Sequence, residues 1–325
     1  MTHRILLGNL PTPIQNMPRL SETHGKNLYI KRDDYSGTEY SGNKIRKLEF
    51  VLADAISQGC DAVVTCGGIQ SNHCRATSAA CARLGLACHT VLRGEAQAFE
   101  GNLFLDTMLG AKVHLIAPTE EYPGAMEKVA DALRREGKKP YLIPVGASTP
   151  IGALGYLEAW NEILAWEKAN QTAFDAVCIA VGSGGSYAGL WQGNAQSGGE
   201  KLIAGFAVSN DSGHFQGQIQ EILKGMGVET SRESITILDG YVGLGYAQAT
   251  REEIARYMDI ARLEGIVLDP CYTGKAFLGM LEEMEHGILQ DKENILFVHT
   301  GGIMGWTQQQ RDMAAGLARQ QERIS

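Results

Sequence analysis

An α/β fold of mostly parallel sheets flanked by helices is what the sequence predicts, and three observations predict it. Short apolar runs alternate with longer segments of helical period along nearly the whole chain. Glycines gather directly after several of the apolar runs. The 325 residues suffice for two hydrophobic cores or one large α/β unit, and two domains are expected. Strands that alternate with helices are joined by crossovers, so they run parallel and the helices cover their faces.

In chain order, strands are predicted over 27–31, 61–66, 87–92, 112–116, 141–145, 176–181, 203–208, 235–238 and 295–299. Between the first two, a helix over 44–58 places Ile45, Leu48, Leu52, Ala55 and Ile56 on one face, and Gly59 ends it. Its basic residues Arg46 and Lys47 have the spacing of an ordinary solvated surface. A second helix over 71–84 has Ser71 at its N-cap and stops at Gly85. No internal repeat or low-complexity linker interrupts the pattern.

Composition excludes several functions. The net charge is −8 and no basic block exceeds KRDD or RREGKK, which argues against a nucleic-acid partner. The stretch MTHRILLGNLPTP lacks a signal-peptide core, and no run of about 18 apolar residues occurs, so a soluble cytoplasmic protein without a membrane partner is expected. Five of the seven cysteines (Cys60, Cys66, Cys74, Cys81, Cys88) fall in apolar or alanine-rich stretches and read as small buried thiols. Without CxxC or HExxH spacing, no metal site is predicted.

The glycine clusters CGG (66–68), VGSGG (181–185) and HTGG (299–302) close predicted strands. Ligands bind beyond the carboxyl ends of strands in open α/β sheets, so the three could converge on one site, although each also reads as a tight turn. In AVCIAVGSGGSYAGL, successive backbone N–H groups, the helix N-terminus and the hydroxyls of Ser183 and Ser186 form an anion cup. It is not a dinucleotide fingerprint, because Tyr187 stands where the third glycine belongs, and it lacks the GK[ST] ending of a P-loop. In CGGIQSNHCR, Ser71 could simply cap its helix. Yet Gln70, Ser71, Asn72 and His73 crowd a positive helix end that suits a small carboxylate. Tyr246 and Tyr272 are either half-buried aromatics or phenols aimed at a ligand.

The stretch SGNKIRKLEF puts Lys44 at a helix start, where a cation is unfavourable by roughly a few tenths of a kcal/mol. A lysine desolvated there loses proton affinity and becomes a nucleophile toward carbonyls. An anion cup, a carboxylate site and such a lysine are together what a pyridoxal phosphate enzyme needs, though each has a dull explanation alone.

The ordered set SGNKIRKLEF, CGGIQSNHCR, VGSGGS, LDPCYTGKA and VHTGG, spanning about residues 10–302, resembles the D-cysteine desulfhydrase and 1-aminocyclopropane-1-carboxylate deaminase family. These are pyridoxal phosphate enzymes of the tryptophan-synthase-β-like fold, fold-type II. The resemblance implies two open twisted sheets with the cofactor in the cleft between domains, a small domain at 48–155 inserted into a large one made of 1–47 and 156–325, and a homodimer. It implies that Lys44 carries the cofactor and removes the substrate's α-proton, and that Asn72 bonds the cofactor's 3′-oxygen. Gly182, Ser183, Gly184, Gly185 and Ser186 would hold its phosphate, Tyr246 would lie against its ring, and Thr300 would lie by the ring nitrogen. Ser71 would contact substrate and assist proton transfer, the amides around Gln70, Ser71, Asn72 and His73 would receive its carboxylate, and Tyr272 would point at its β-side.

Thr273 and Thr300 resemble the desulfhydrase pattern rather than the YEG and HLGG of the deaminases. The expected reaction is β-elimination from D-cysteine to pyruvate, ammonia and sulfide. The alternatives are related lyase activity on L-cysteate, β-chloro-D-alanine or D-serine, the ring-opening deaminase, and a metabolite-binding protein without turnover. The segment PVGASTPIG and the tail after Gly302 depart from the family's pattern.

Overall fold

The computed structural model describes residues 3–95 and 99–322, excepting the side chains of 321 and 322. Its strands are β1 (Ile14–Asn16), β2 (Asn27–Arg32), β3 (Ala62–Gly68), β4 (Ala87–Arg93), β5 (Lys112–Ile116), β6 (Pro140–Ile143), β7 (Ala176–Val181), β8 (Leu202–Ala207), β9 (Ile237–Leu238) and β10 (Asn294–His299). Its helices are α1 (Pro18–His24), α2 (Lys44–Ser57), α3 (Asn72–Leu84), α4 (Gly101–Met108), α5 (Tyr122–Arg135), α6 (Pro150–Asn170), α7 (Gly185–Gln196), α8 (Ser212–Gly225), α9 (Arg251–Glu264), α10 (Thr273–His286) and α11 (Gln308–Glu322).

Two sheets result. One has the order β1-β2-β10-β7-β8-β9 and the other β5-β4-β3-β6. Every pairing is parallel except β1 with β2. Crossover helices explain this, since parallel neighbours need a connection long enough to return along the sheet. Strand β7 reads AVCIAV and is buried at every position, as expected of a strand covered on both faces. Apolar layers flank the six-stranded sheet on both sides, one with Phe206, Phe277 and Phe297 and the other with Trp160, Phe174 and Phe215.

Helix α2 joins the two halves. Its apolar face (Ile45, Leu48, Val51, Leu52) packs with Val63, Ala76, Ala80 and Ile143 of the smaller sheet and its helices. On the other side, a Cβ added to Gly155 of α6 would lie 2.3 Å from the Arg46 carbonyl oxygen, so only glycine permits that approach. Hence Arg46 and Lys47, expected on a solvated surface, are each only 1% exposed. Arg46 donates to both oxygens of Asp33 (2.9 and 2.8 Å) and to both of Glu162 (2.7 and 2.8 Å). Burial alone would raise the Asp33 carboxyl, but Arg46 and Lys31 outweigh it and hold it at about 2. All seven cysteines are buried and unpaired.

Candidate active site

The turn before Lys44 is built to place it. The N–H of Gly42 donates to the Asp33 carbonyl (3.0 Å) and the Ser36 hydroxyl (3.0 Å), and the N–H of Asn43 donates to the Thr300 carbonyl (3.1 Å). Gly42 has φ +110° and passes so close to Thr300 that a Cβ would sit 2.5 Å from its carbonyl oxygen. Arg75 of α3 donates to the Ser41 carbonyl at 2.5 Å. These bonds set the first residue of α2 at the carboxyl end of β10, in a cleft of about 320 Å³. Burial is the main influence on Lys44 and brings its amine down to about 8, with Cys271 and Asp269 opposing the shift. Cys271 is itself pushed up to about 12, chiefly by burial.

Across the cleft the loop after β7 opens α7. Gly184 adopts a left-handed conformation (φ +79°) as the N-cap, and the N–H groups of Ser186 and Tyr187 have no backbone partner among the described residues. Ser183 shares a hydrogen bond with Ser148 (2.8 Å), and Ser186 accepts one from Asn43 Nδ2 (3.0 Å). Into this cup reaches Lys47, which sequence reasoning passed over. Its Nζ donates to the Gly146 carbonyl (3.1 Å) and to Ser148 (3.1 Å), and a Cβ on Gly185 would come within 2.8 Å of it. Burial and then the charge of Lys44 lower its proton affinity, and among the described residues no carboxylate pairs with it. A buried lysine amine with only neutral acceptors, beside free helix amides, is suited to receive an anion. A phosphate fits that deficit, and the segment PVGAS supplies two of the groups around it.

The third wall is the start of α3. Ser71 does cap its helix, accepting from Cys74 N at 3.2 Å, and it also lines the cleft. The N–H groups of Asn72 and His73 have no backbone partner among the described residues. His73 contacts Thr65 Oγ1 through Nε2 (2.7 Å) while Thr65 donates to the Ile143 carbonyl (2.9 Å), so Nε2 carries the proton and Nδ1 is left without a partner among the described residues. Burial, then Lys44 and Lys47, hold His73 neutral. Gln70 differs from expectation: its side chain turns to the start of α4, accepting from Asn102 N (2.8 Å) and donating to the Glu100 carbonyl (3.1 Å), and it does not line the cleft.

The remaining wall comes from the six-stranded half. Tyr246 and Tyr272 join hydroxyl to hydroxyl at 2.6 Å, and burial of the hydroxyl ends pushes both phenols above the ordinary tyrosine value, although Tyr246 as a whole is 44% exposed. Tyr272 is positioned by Asp269, whose carboxylate accepts the N–H groups of Cys271, Tyr272 and Thr273 (2.9, 2.9 and 2.8 Å). The Thr273 hydroxyl is spent on Asp269 as well (2.6 Å), so it does not face the cleft, whereas Thr300 does. Gly182 lets the Tyr272 ring approach, since a Cβ there would stand 2.9 Å from its edge. Gly185 lies behind the cup rather than on the cleft wall.

Arg93 and Tyr122 also line the cleft, the guanidinium 4.0 Å above the ring centre. No described residue of the tail after Gly302 reaches the cleft. The tail instead braces α4: Arg311 pairs with Glu100, and the Met304 carbonyl lies against Gly101.

A buried lysine of lowered proton affinity, a serine-glycine cup with a second lysine and a helix end with free amides stand around one cleft, and residues 5–301 match the model of the pyridoxal-phosphate-dependent enzyme family. The chain belongs to that family. A bifunctional D-cysteine desulfhydrase/1-aminocyclopropane-1-carboxylate deaminase, mitochondrial, of Arabidopsis thaliana is 40% identical over 321 residues, which cover 94% of this chain and 79% of the relative. A D-cysteine desulfhydrase of Yersinia pestis is 40% identical over 307 residues, 91% of this chain and 92% of its own. The crystal structure of an ACC deaminase homologue superposes with a TM-score of 0.85 at 38% identity, covering 96% of this chain and 95% of that one. A T.th. threonine deaminase, at 18% identity and a TM-score of 0.65 over 90% and 92% of the two chains, shares the fold. This pyridoxal-phosphate-dependent enzyme is thus a lyase of fold-type II, as its sequence motifs led one to expect.

Proposed function

We propose that the protein catalyses β-elimination from a small β-substituted amino acid, D-cysteine first, with Lys44 as the residue that carries the cofactor and moves the α-proton. The observation that carries this reading is the placement of the Lys44 amine, lowered to about 8, between the anion cup and the start of α3. Pyridoxal phosphate bound there supplies the electron withdrawal that acidifies the substrate's Cα–H and lets a β-substituent depart. Lys47, the amides of Ser186 and Tyr187 and the Ser183 hydroxyl suit its phosphate, Asn72 suits its 3′-oxygen and Thr300 suits its ring nitrogen. The free amides of Asn72 and His73 suit the substrate carboxylate.

With these anchors Lys44 Nζ, freed once the substrate's amino group has replaced it, takes the α-proton, and the C–S bond breaks with its electrons on sulfur. Tyr272 Oη, kept protonated by its surroundings and supported by Tyr246, is the hydroxyl suited to meet the departing sulfide. Hydrolysis of the released enamine consumes water and yields pyruvate and ammonia. The names of the relatives support this reaction class, and the first carries both the desulfhydrase and the deaminase name. One observation favours a second substrate: Arg93 lines the cleft with a buried Nε that has no partner among the described residues, which suits an anionic β-substituent such as the sulfonate of L-cysteate.

We also propose a small domain at 48–155, since its four strands form their own sheet, together with a cytoplasmic homodimer, with seven free thiols in keeping with a reducing compartment. The test is a panel of D- and L-cysteine, L-cysteate, D-serine, β-chloro-D-alanine and 1-aminocyclopropane-1-carboxylate scored for keto acid. Pyruvate from D-cysteine is expected, and L-cysteate turnover should be the activity most reduced in Arg93→Met. Predominant 2-oxobutyrate from the cyclopropane substrate would overturn the branch assigned to this chain.

A further inference from the structure

We propose that Asn102, which touches neither cofactor nor substrate, is a positioning residue that fixes the side-chain amide of Asn72 so that only its NH₂ group faces the cleft. The inference rests on the functional reading above.

Asn102 is the second residue of α4 and is fully buried. Its Nδ2 donates to the Gln70 carbonyl (2.8 Å) and to Asn72 Oδ1 (3.0 Å), and its backbone N–H donates to Gln70 Oε1 (2.8 Å). An amide's oxygen and nitrogen are told apart by the bonds around them. Here a backbone carbonyl decides. The Gln70 carbonyl can only accept, so the Asn102 atom facing it is nitrogen. That NH₂ group has a second hydrogen, and the atom receiving it on Asn72 must therefore be oxygen. Asn72 Nδ2 is then turned away from Asn102, on a residue that lines the cleft.

The orientation is held against a cost. Asn102 Oδ1 is buried without a partner among the described residues, and reversing the amide would only move the NH₂ group into that partnerless place and set oxygen against oxygen at Gln70. Gln70, which the sequence placed in the substrate site, acts through Asn102 instead. It grips Asn102 from two sides, and its own Nε2 is tied to the Glu100 carbonyl at 3.1 Å. An acceptor-only neighbour is what Asn72 can serve, and the 3′-oxygen of pyridoxal phosphate in its deprotonated form is such a group. A locked NH₂ group favours that form over the protonated one, which would need an acceptor.

The experiment compares wild type, Asn102→Asp, Asn72→Ala and the double variant, each reconstituted with pyridoxal phosphate, by following the visible absorption of the bound cofactor from pH 5 to 10. A carboxylate at 102 invites the Asn72 NH₂ group to turn toward it, presenting oxygen to the cleft. The absorption midpoint in Asn102→Asp should therefore rise by about one pH unit. In the Asn72→Ala background the same change at 102 should produce no further shift. A midpoint unmoved in Asn102→Asp, or an equal shift with and without Asn72, overturns the proposal, because general scaffolding by Asn102 would not depend on the Asn72 amide. Should the aspartate variant fail to fold, Asn102→Leu in the same two backgrounds gives the same comparison with a smaller shift of the same sign. A wild-type chain that takes up no cofactor defeats the functional reading itself, an outcome distinct from a yellow protein whose midpoint ignores residue 102.

Discussion

Removing the reactive amine should make the cofactor-free protein more stable. Lys44 is lowered from 10.5 to about 8 in the fold, chiefly by burial. Between those two values the unfolded chain binds more protons at this residue than the folded one, so stability rises with pH across the window and is lowest, by the full amount, below about pH 8. At 1.36 kcal/mol per pH unit the cost is about 3 kcal/mol at pH 7, about 2 at pH 9 and about 1 at pH 10. These values are upper bounds, because the amine borders an open cleft and water screens part of the penalty. Lys44→Met keeps the shape of the side chain and deletes the charge. For a chain of 325 residues, 3 kcal/mol corresponds to roughly 4 to 5 °C in melting temperature. Calorimetry on the cofactor-free proteins should find the variant melting higher by that margin at pH 7, with the gap closing to about 1 °C by pH 10. The variant should also show no turnover. A methionine variant no more stable than wild type at pH 7, or a gap constant in pH, would show that the amine is not desolvated and would remove the physical basis for its reactivity.

Three further outcomes follow from the same geometry. Lys47→Met should weaken pyridoxal phosphate by about 30- to 150-fold, the worth of one buried charge-assisted contact, while leaving the affinity for pyridoxal, which lacks the phosphate, nearly unchanged; equal losses for both ligands would place Lys47 elsewhere in the mechanism. Gly182→Ala puts a methyl 2.9 Å from the Tyr272 ring, and kcat should fall on the order of 10- to 100-fold with cofactor affinity retained, as equilibrium dialysis alongside the steady-state assay can check. Arg46→Met strands Asp33 and Glu162, and urea titration should show a loss of about 3 to 5 kcal/mol, against little change if the network were merely peripheral.

Much of this fold was legible because its strands are short apolar runs with glycine stops. The predicted 87–92 and 176–181 became Ala87–Arg93 and Ala176–Val181. β1 was not, since three residues IQN at a sheet edge carry no period and take their conformation from β2. The run 235–238 shortened to Ile237–Leu238 because Arg232–Ser234 forms a tight helical turn just before it. In the site, Lys44, Ser71 and the serine-glycine cup declared themselves through motif and helix position. Lys47, Arg93 and Asn102 did not. Periodicity assumes a helix with one wet face, and α2 has none in its first two turns because α6 covers the side away from the smaller sheet. Asn102 is separated from Asn72 by 30 residues, a pairing no local pattern can express.

The first turn of α2 carries Lys44, Arg46 and Lys47 at the positive end of a helix dipole, and the fold treats the three cations in three ways. Arg46 is matched by two carboxylates of the six-stranded half and fixes the start of α2 against it. Lys47 receives only a carbonyl and a hydroxyl, enough to aim it but not to neutralise it, so its charge is available to an incoming anion. Lys44 is aimed into the cleft by its backbone turn alone, and burial lowers its proton affinity there. In the proposed reaction, spacing of one turn lets a single rigid segment seat the phosphate and present the nucleophile to the same molecule. Because Arg46 pins that segment, neither lysine can relax toward solvent to recover its hydration. The strain of crowding like charges is sustained by the ion network behind them, and cofactor binding is the event that relieves it.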